Sequence, residues 1–223
     1  QTSTMAPDLI SFSLFALSSI LIVVNPLGAL LVYNSITEFM DSKDKRKVAA
    51  YGCRIAGAVL IFFTLFGSSL LSLFGITISA FTVAGGVLLF GIGIEMVYAR
   101  TSRAKVTATE KYESIDAEDI SSMPLAFPMI SGPGTITTVI VLSQDTPIFS
   151  EPVELGIILG SVIVTILITY IVLISSEQIT KRIGQREYRV VNRLMGIMLM
   201  AIAVQFIING ISQAFPMLTG SAT

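Results

Sequence analysis

Six apolar stretches, each about 20 residues or longer, divide this chain, and most of its charges lie in the short segments between them. Such a stretch reaches across a hydrocarbon layer about 30 Å thick. A backbone in lipid must satisfy its own hydrogen bonds, so the stretches read as helices; barrel strands would be about ten residues long with alternating polarity. They cover 9–39, 48–73, 78–99, 121–142, 154–175 and 190–213. The expected fold is therefore an all-α integral membrane protein with six transmembrane helices. Charged residues make up 13% of the chain, about half the share in a soluble domain.

Lysine and arginine set the expected orientation. Lys43, Lys45, Arg46 and Lys47 follow the first stretch; Arg100, Arg103, Lys105 and Lys111 follow the third; Lys181, Arg182, Arg186 and Arg189 follow the fifth. Arg54 and Arg193 lie near the same ends of stretches two and six. The N-terminus, the turn at Gly75, the loop 144–152 and the C-terminus carry none. The positive-inside rule places the basic loops in the cytoplasm and both termini outside a cytoplasmic (inner) membrane.

The chain repeats itself. Gly86 to Glu95 in stretch three matches Gly196 to Gln205 in stretch six, 110 residues on. Gly75 and Gly184 are 109 apart, and Pro26 and Pro133 are 107 apart. The expected halves are 9–99 and 121–213, joined by a cytoplasmic loop, 100–120. With three helices each, the second half enters the membrane from the opposite side, giving a 3+3 inverted repeat of the kind common in transporters.

The first stretch of each half should be discontinuous. Stretch one, at 1.5 Å per residue, would be about 46 Å long, too long for a simple span. Its middle reads Val24-Asn25-Pro26-Leu27-Gly28. Pro26 removes an N–H and clashes with the preceding turn, and Asn25, before a proline, is disfavoured in the α region. Asn then Pro is also a helix-start signal, cap followed by first helical residue. Stretch four repeats the device at Ser131-Gly132-Pro133-Gly134-Thr135, where Gly132 or Ser131 caps. One proline alone reads as a tolerated kink. Two breaks at equivalent places read as irregular backbone facing a shared site, because such backbone survives at membrane depth only where protein or a wet cavity covers it.

Each half-helix start offers unpaired N–H groups and about half a positive charge. Together they could hold a carboxylate where the sequence places no mid-membrane arginine or lysine. Carbonyls freed near Val23 and Ile130 could accept from an ammonium. A small zwitterion suits such a site. The proposed substrate-binding residues are Asn25, Pro26, Leu27, Gly28, Ser131, Gly132, Pro133, Gly134 and Thr135.

Asn25-Pro-Leu-Gly-Ala29, Phe74-Gly-Ile-Thr-Ile-Ser-Ala-Phe81 with Ala84-Gly-Gly86, Pro124-Leu-Ala-Phe-Pro128 with Ser131-Gly-Pro-Gly-Thr135, and Leu194-Met-Gly196 with Ala203-Val-Gln205 together resemble the MarC/SnatA family of membrane proteins. The resemblance runs from about Ser11 to Ile211, and four motifs in order at these spacings are specific. It implies six helices in inverted repeats. Family members with an assigned activity carry small neutral amino acids such as glycine and alanine, and others have no established substrate.

Other polar residues read two ways. Ser18, Ser19, Asn34, Thr137 and Thr138 either line the site or bond back to helix carbonyls. Glu95 is a functional candidate, as intramembrane carboxylates are by default, or it snorkels or pairs with Arg54 or Arg100. Gln205 suits interhelical hydrogen bonding, and the glycines at 85, 86, 91 and 93 suit close helix packing.

A secondary transporter is the expected function. The alternative is a channel for small neutral solutes with aquaporin-like half-helices, although the second break lacks an Asn. An enzyme is not expected: the chain has no histidine and one cysteine, Cys53, which also excludes an intramolecular disulfide. No cofactor or metal is expected, and the coupling ion, H+ or Na+, is left open. The expected partners are small neutral amino acids and the lipid bilayer, with no nucleic acid. Oligomeric state is left open.

Overall fold

A computed structural model of the chain describes residues 5–38, 40–98, 121–144, 152–182 and 185–215. The basic loop 100–120, the loop 145–151 and Gly184 lie outside the described residues, so the Gly75–Gly184 match has no structural counterpart here. The described residues form helices α1 (Met5–Val24), α2 (Pro26–Ile36), α3 (Ser42–Leu73), α4 (Ile78–Val97), α5 (Ser121–Ile130), α6 (Pro133–Ser143), α7 (Pro152–Ile174), α8 (Ser176–Arg182) and α9 (Gln185–Ala214).

Among the described residues, five stretches are long and apolar enough to cross a membrane: Leu9–Asn34, Ser42–Leu73, Ile78–Val97, Pro152–Ile174 and Arg193–Ala214. The fourth apolar stretch differs. It consists of two short pieces, α5 and α6, of 10 and 11 residues, and neither reaches across a bilayer alone. Pro124 and Pro128 bring no N–H to the ladder, and α5 is wound loosely as a π-helix; at its end the Ser131 N–H donates to the Ala126 carbonyl five residues back, at 2.9 Å.

Local chemistry ends the long helices where the sequence turns. Asp41 caps α3 by accepting from the Lys43 and Asp44 N–H groups at 3.0 and 2.7 Å. Gly75 closes it, with φ of 67°. There the Ile76 N–H reaches the Leu71 carbonyl and the Gly75 N–H the Ser72 carbonyl, a Schellman arrangement that needs the left-handed residue. Thr77 then caps α4 through the Ala80 N–H.

The core lies where α1, α2 and α7 pack together and where α3 packs on α5, α6 and α7. Ile20, Tyr33, Leu60, Ile130 and Ile158 are fully buried there. Helix α4 packs on α6 and, along its other side, on α9. The α4–α9 pair is antiparallel, since Ser79 meets Gly210 while Gly93 meets Gly196. A Cβ on Gly93 would stand 2.9 Å from the Gly196 carbonyl oxygen, and one on Gly86 would stand 2.7 Å from that of Ala203. Only residues without a side chain permit backbones this close, the usual device of helix pairs in lipid. Adding 110 to 86 and 93 gives 196 and 203, so these two contacts exchange under the sequence repeat.

Candidate functional site

Asn25 interrupts α1 and α2 with φ of 49° and ψ of 72°, the sole non-glycine residue of positive φ among those described. The following proline disfavours the α region for it, and asparagine tolerates the left-handed one better than most side-chain-bearing residues. From there its Oδ1 accepts from the Gly28 N–H at 3.1 Å, and its Nδ2 donates to Met96 Sδ at 3.4 Å. A Cβ on Gly28 would fall inside the Asn25 carboxamide, so Gly28 is what lets the cap fold back. The Asn25 and Ala29 N–H groups keep their bonds to Leu21 and Asn25 carbonyls, both at 3.0 Å. The interruption is thus one residue wide and largely self-satisfied.

A loss of the cap should cost about 1 kcal/mol, and an alanine held in the left-handed region about another 1 kcal/mol. Asn25→Ala is therefore expected to unfold at a clearly lower temperature in detergent than Asn25→Gly, which loses the cap without the strain. Equal shifts for the two variants would show that the backbone does not depend on Asn25 in this conformation.

The second interruption is built differently. Gly132, in an extended conformation, caps α6 with no side-chain bond, and Pro133 is the first helical residue. The opening turn of α6 therefore presents its N–H groups without a capping side chain. Its hydroxyls turn the other way. Ser131 Oγ donates to the Ala126 carbonyl at 2.9 Å and Thr135 Oγ1 to the Ile130 carbonyl at 3.1 Å. Thr137 and Thr138 donate to the Pro133 and Gly134 carbonyls at 2.8 and 2.9 Å. The expectation that the Ile130 carbonyl stands free is corrected: Thr135 already donates to it. For Thr137 and Thr138 the structure shows back-bonding, as it does for Ser18, which donates to the Phe15 carbonyl at 3.1 Å.

Both interruptions abut one face of α4. Asn25 touches it at Met96, Gly134 faces Leu89, and Thr137 faces Gly85. Met96 and Leu89 are seven positions apart, about 10 Å along the axis. The two starts therefore lie at different depths, the first near the end of α4 and the second near its middle. Val23 and Leu89 share a small apolar cluster with Leu199 and Ala203. Asn25, Pro26, Ser131, Gly132, Gly134 and Thr135 are buried, whereas Leu27, Gly28, Pro133 and Ser19 are half-buried.

Glu95 does not join them. It is exposed on the outer side of α4, and among the described residues the ion pairs are Lys45–Glu177 and Lys47–Asp44. Arg54, one of its expected partners, lies 5.9 Å from the Tyr51 ring centroid instead, and Arg100 is outside the described residues.

Sequence reasoning missed a hydroxyl stripe on α7. Ser161, Thr165 and Thr169, one turn apart, are all buried. Ser161 and Thr169 each donate to the carbonyl four residues back at 2.8 Å, while Thr165 Oγ1 is the buried side-chain oxygen without a partner among the described residues. Hydroxyls every fourth residue in an otherwise apolar run were the available signal. Thr165→Val removes an unpaired buried hydroxyl at constant shape and is expected to raise stability by about 1 kcal/mol in thermal unfolding. A drop of that size would mean the hydroxyl is bonded in the native protein.

A polar cavity of about 160 Å³ lies away from the interruptions, lined by Tyr33, Ser42, Lys45, Arg46, Glu177 and Gln178 among others. Tyr33 Oη donates to the Lys45 carbonyl at 2.8 Å, and Lys45 Nζ stands 3.7 Å from Glu177 Oε1. These contacts tie α2, α3 and α8 together two turns beyond Asn25.

The family described as MarC family integral membrane protein matches residues 10–215. A UPF0056 membrane protein of Methanocaldococcus jannaschii is 37% identical over 205 residues, covering 92% of this chain and 98% of that protein. One from Pyrococcus horikoshii is 36% identical, covering 86% and 90%, and one from Bacillus subtilis is 32% identical, covering 94% and 98%. No solved structure matches.

Proposed function

From the premise that the chain belongs to the MarC family of integral membrane proteins, we propose that it is a secondary transporter of small neutral amino acids, of the glycine and alanine class, in the cytoplasmic membrane. The observation that carries this reading is the pair of proline-started helices, α2 and α6, whose N-termini abut one face of α4. In this reading α1–α2 and α5–α6 are the discontinuous helices of a six-helix 3+3 inverted repeat, with 9–99 and 121–213 as its halves. The packing supports it. The first broken stretch rests on α7 and the second on α3, so each lies against the middle helix of the other half.

The two ends of a zwitterion would be treated unequally. The N–H groups opening α6, at Gly134 and Thr135, with the positive end of the helix dipole, take the carboxylate. Asn25 already spends its Oδ1 on Gly28, so the first break serves as a shaped wall rather than a second anion hole. Leu27, Gly28, Ser131, Gly132 and Pro133 hold that geometry, with Ser19, Thr137 and Thr138 at its margin. Tyr33, Lys45 and Glu177 close the basic, cytoplasmic ends of α2, α3 and α8. Both termini then lie outside.

Proteoliposome counterflow tests the proposal. Saturable exchange of labelled glycine or alanine against internal unlabelled substrate is the expected result. Rapid osmotic swelling in small neutral solutes without counterflow would favour the channel alternative and end the carrier reading.

A further inference from the structure

We infer that the outer face of α9 is a docking surface for a second copy of this chain, centred on the Gln205–Asn209 amide pair. Helix α9 packs extensively on α4 alone, through Gly196, Met200, Ala203, Ile207 and Gly210. That seam steps by four and three residues, the period of a helix–helix contact. A second stripe with the same steps runs along the opposite side: Leu194, Met198, Ala201, Gln205, Ile208 and Ser212. Among the described residues none packs over it. Leu194, Met198 and Ile208 are 57%, 48% and 50% exposed, and Ala201 and Gln205 are exposed as well.

Apolar exposure alone would mean only lipid. Gln205 changes that, because it sits near the middle of the Arg193–Ala214 span, where lipid offers no hydrogen bonds. Its Nε2 donates to Asn209 Oδ1 at 2.7 Å, and both residues are exposed. An amide has two donor hydrogens and a carbonyl with two lone pairs, so this pair keeps both donors and acceptors beyond its internal bond. A surface carrying donors and acceptors together is self-complementary. Two copies inserted with the same orientation are related by a twofold axis along the membrane normal, which sets their α9 helices parallel and brings like residues face to face. The Asn209 Nδ2 of each copy then reaches the Gln205 Oε1 of the other. Small Ala201 on the same stripe allows the helices to approach, and interhelical amide bonds in lipid are the established glue of such contacts.

The test uses the full chain in lipid vesicles. In a Cys53→Ala background, Ala201→Cys is expected to give a disulfide-linked dimer on mild oxidation. Ile163→Cys, on the exposed face of α7, is expected to give none. Single-molecule photobleaching of the labelled wild type should show two steps. Gln205→Leu with Asn209→Leu suits lipid and should leave the monomer folded by thermal unfolding while weakening association about tenfold. Three results would each overturn the inference: one-step bleaching of the wild type, equal crosslinking at 163 and 201, or a dimer fraction unchanged in the double leucine variant. Labelling of Ala201→Cys by a membrane-impermeant thiol reagent would also overturn it, by showing a water-lined face.

Discussion

Gly134→Leu is expected to remove glycine and alanine uptake while leaving the protein in the membrane. A Cβ at this position falls on the Leu89 side chain, so Leu89 must turn aside or the first turn of α6 must move away from α4. Overpacking of this kind costs about 1–3 kcal/mol, which a membrane-inserted bundle can survive. Function is less tolerant: displacing binding groups by about 1 Å can cost about a hundredfold in rate. The leucine would also cover the N–H groups proposed to take the carboxylate. Gly156→Leu is the matched control, because nothing lies within 4 Å of the position a Cβ would take there. Initial uptake rates in proteoliposomes, normalised to inserted protein, should fall about tenfold to a hundredfold for Gly134→Leu and stay level for Gly156→Leu. Pro26→Ala and Pro133→Ala act on the same feature by returning an N–H to the ladder, and they too should lose transport more than expression. Wild-type rates in Gly134→Leu and both proline variants would remove the interruptions from the substrate path.

Gly93→Leu and Gly196→Leu should give the largest losses of stability. Each glycine faces the other's carbonyl oxygen, at 2.9 and 3.0 Å from the position of an added Cβ, and backbone cannot rotate aside as a side chain can. Each substitution forces α4 and α9 apart by prying at the same point, so each should cost about 3 kcal/mol, the upper part of the overpacking range. The double variant should cost less than the two singles added, because once the helices separate the second leucine finds room. Thermal unfolding in detergent, with yield of monodisperse protein, reads this out. Additive losses would mean the two glycines do not meet. Gly91→Leu, with nothing within 4 Å of its added Cβ, serves as the neutral comparison on the same helix.

Much of the architecture is legible because it rests on local rules. A run of about 20 apolar residues can only be a helix in lipid, whatever surrounds it. Pro26 and Pro133 lack an N–H in any fold, so the ladder fails at those residues, and α2 and α6 begin there. Gly75 between two apolar runs marks a turn, and it takes the left-handed conformation that a helix end requires. Membership of the MarC family is legible partly for the same reason, since the stretches that resemble it include both proline-started helices and the turn at Gly75.

The site is less legible, because hydrogen bonds are shared out by geometry. Asn25 and Gly132 hold equivalent places, yet Asn25 spends its side chain on Gly28 and Gly132 has none to spend. The Ile130 carbonyl looked available until Thr135 was placed five residues on, within reach of it. Glu95 and Gln205 match in the repeat, but each faces outward, away from the interruptions. Residue type and spacing say that such groups exist; only packing says what they face.

The sequence by itself determined that this chain is a helical membrane protein, that its apolar stretches are helices, and that new helices start at Pro26 and Pro133. Those features follow from bonds each residue can or cannot make with its own neighbours. Tertiary structure alone decided that α4 is the wall shared by both interruptions, that they lie about 10 Å apart along it, and that among the described residues α9 packs extensively on one helix and leaves an amide pair uncovered. Those features depend on which faces of distant helices meet, and glycine seams between α4 and α9 set that by letting two backbones touch.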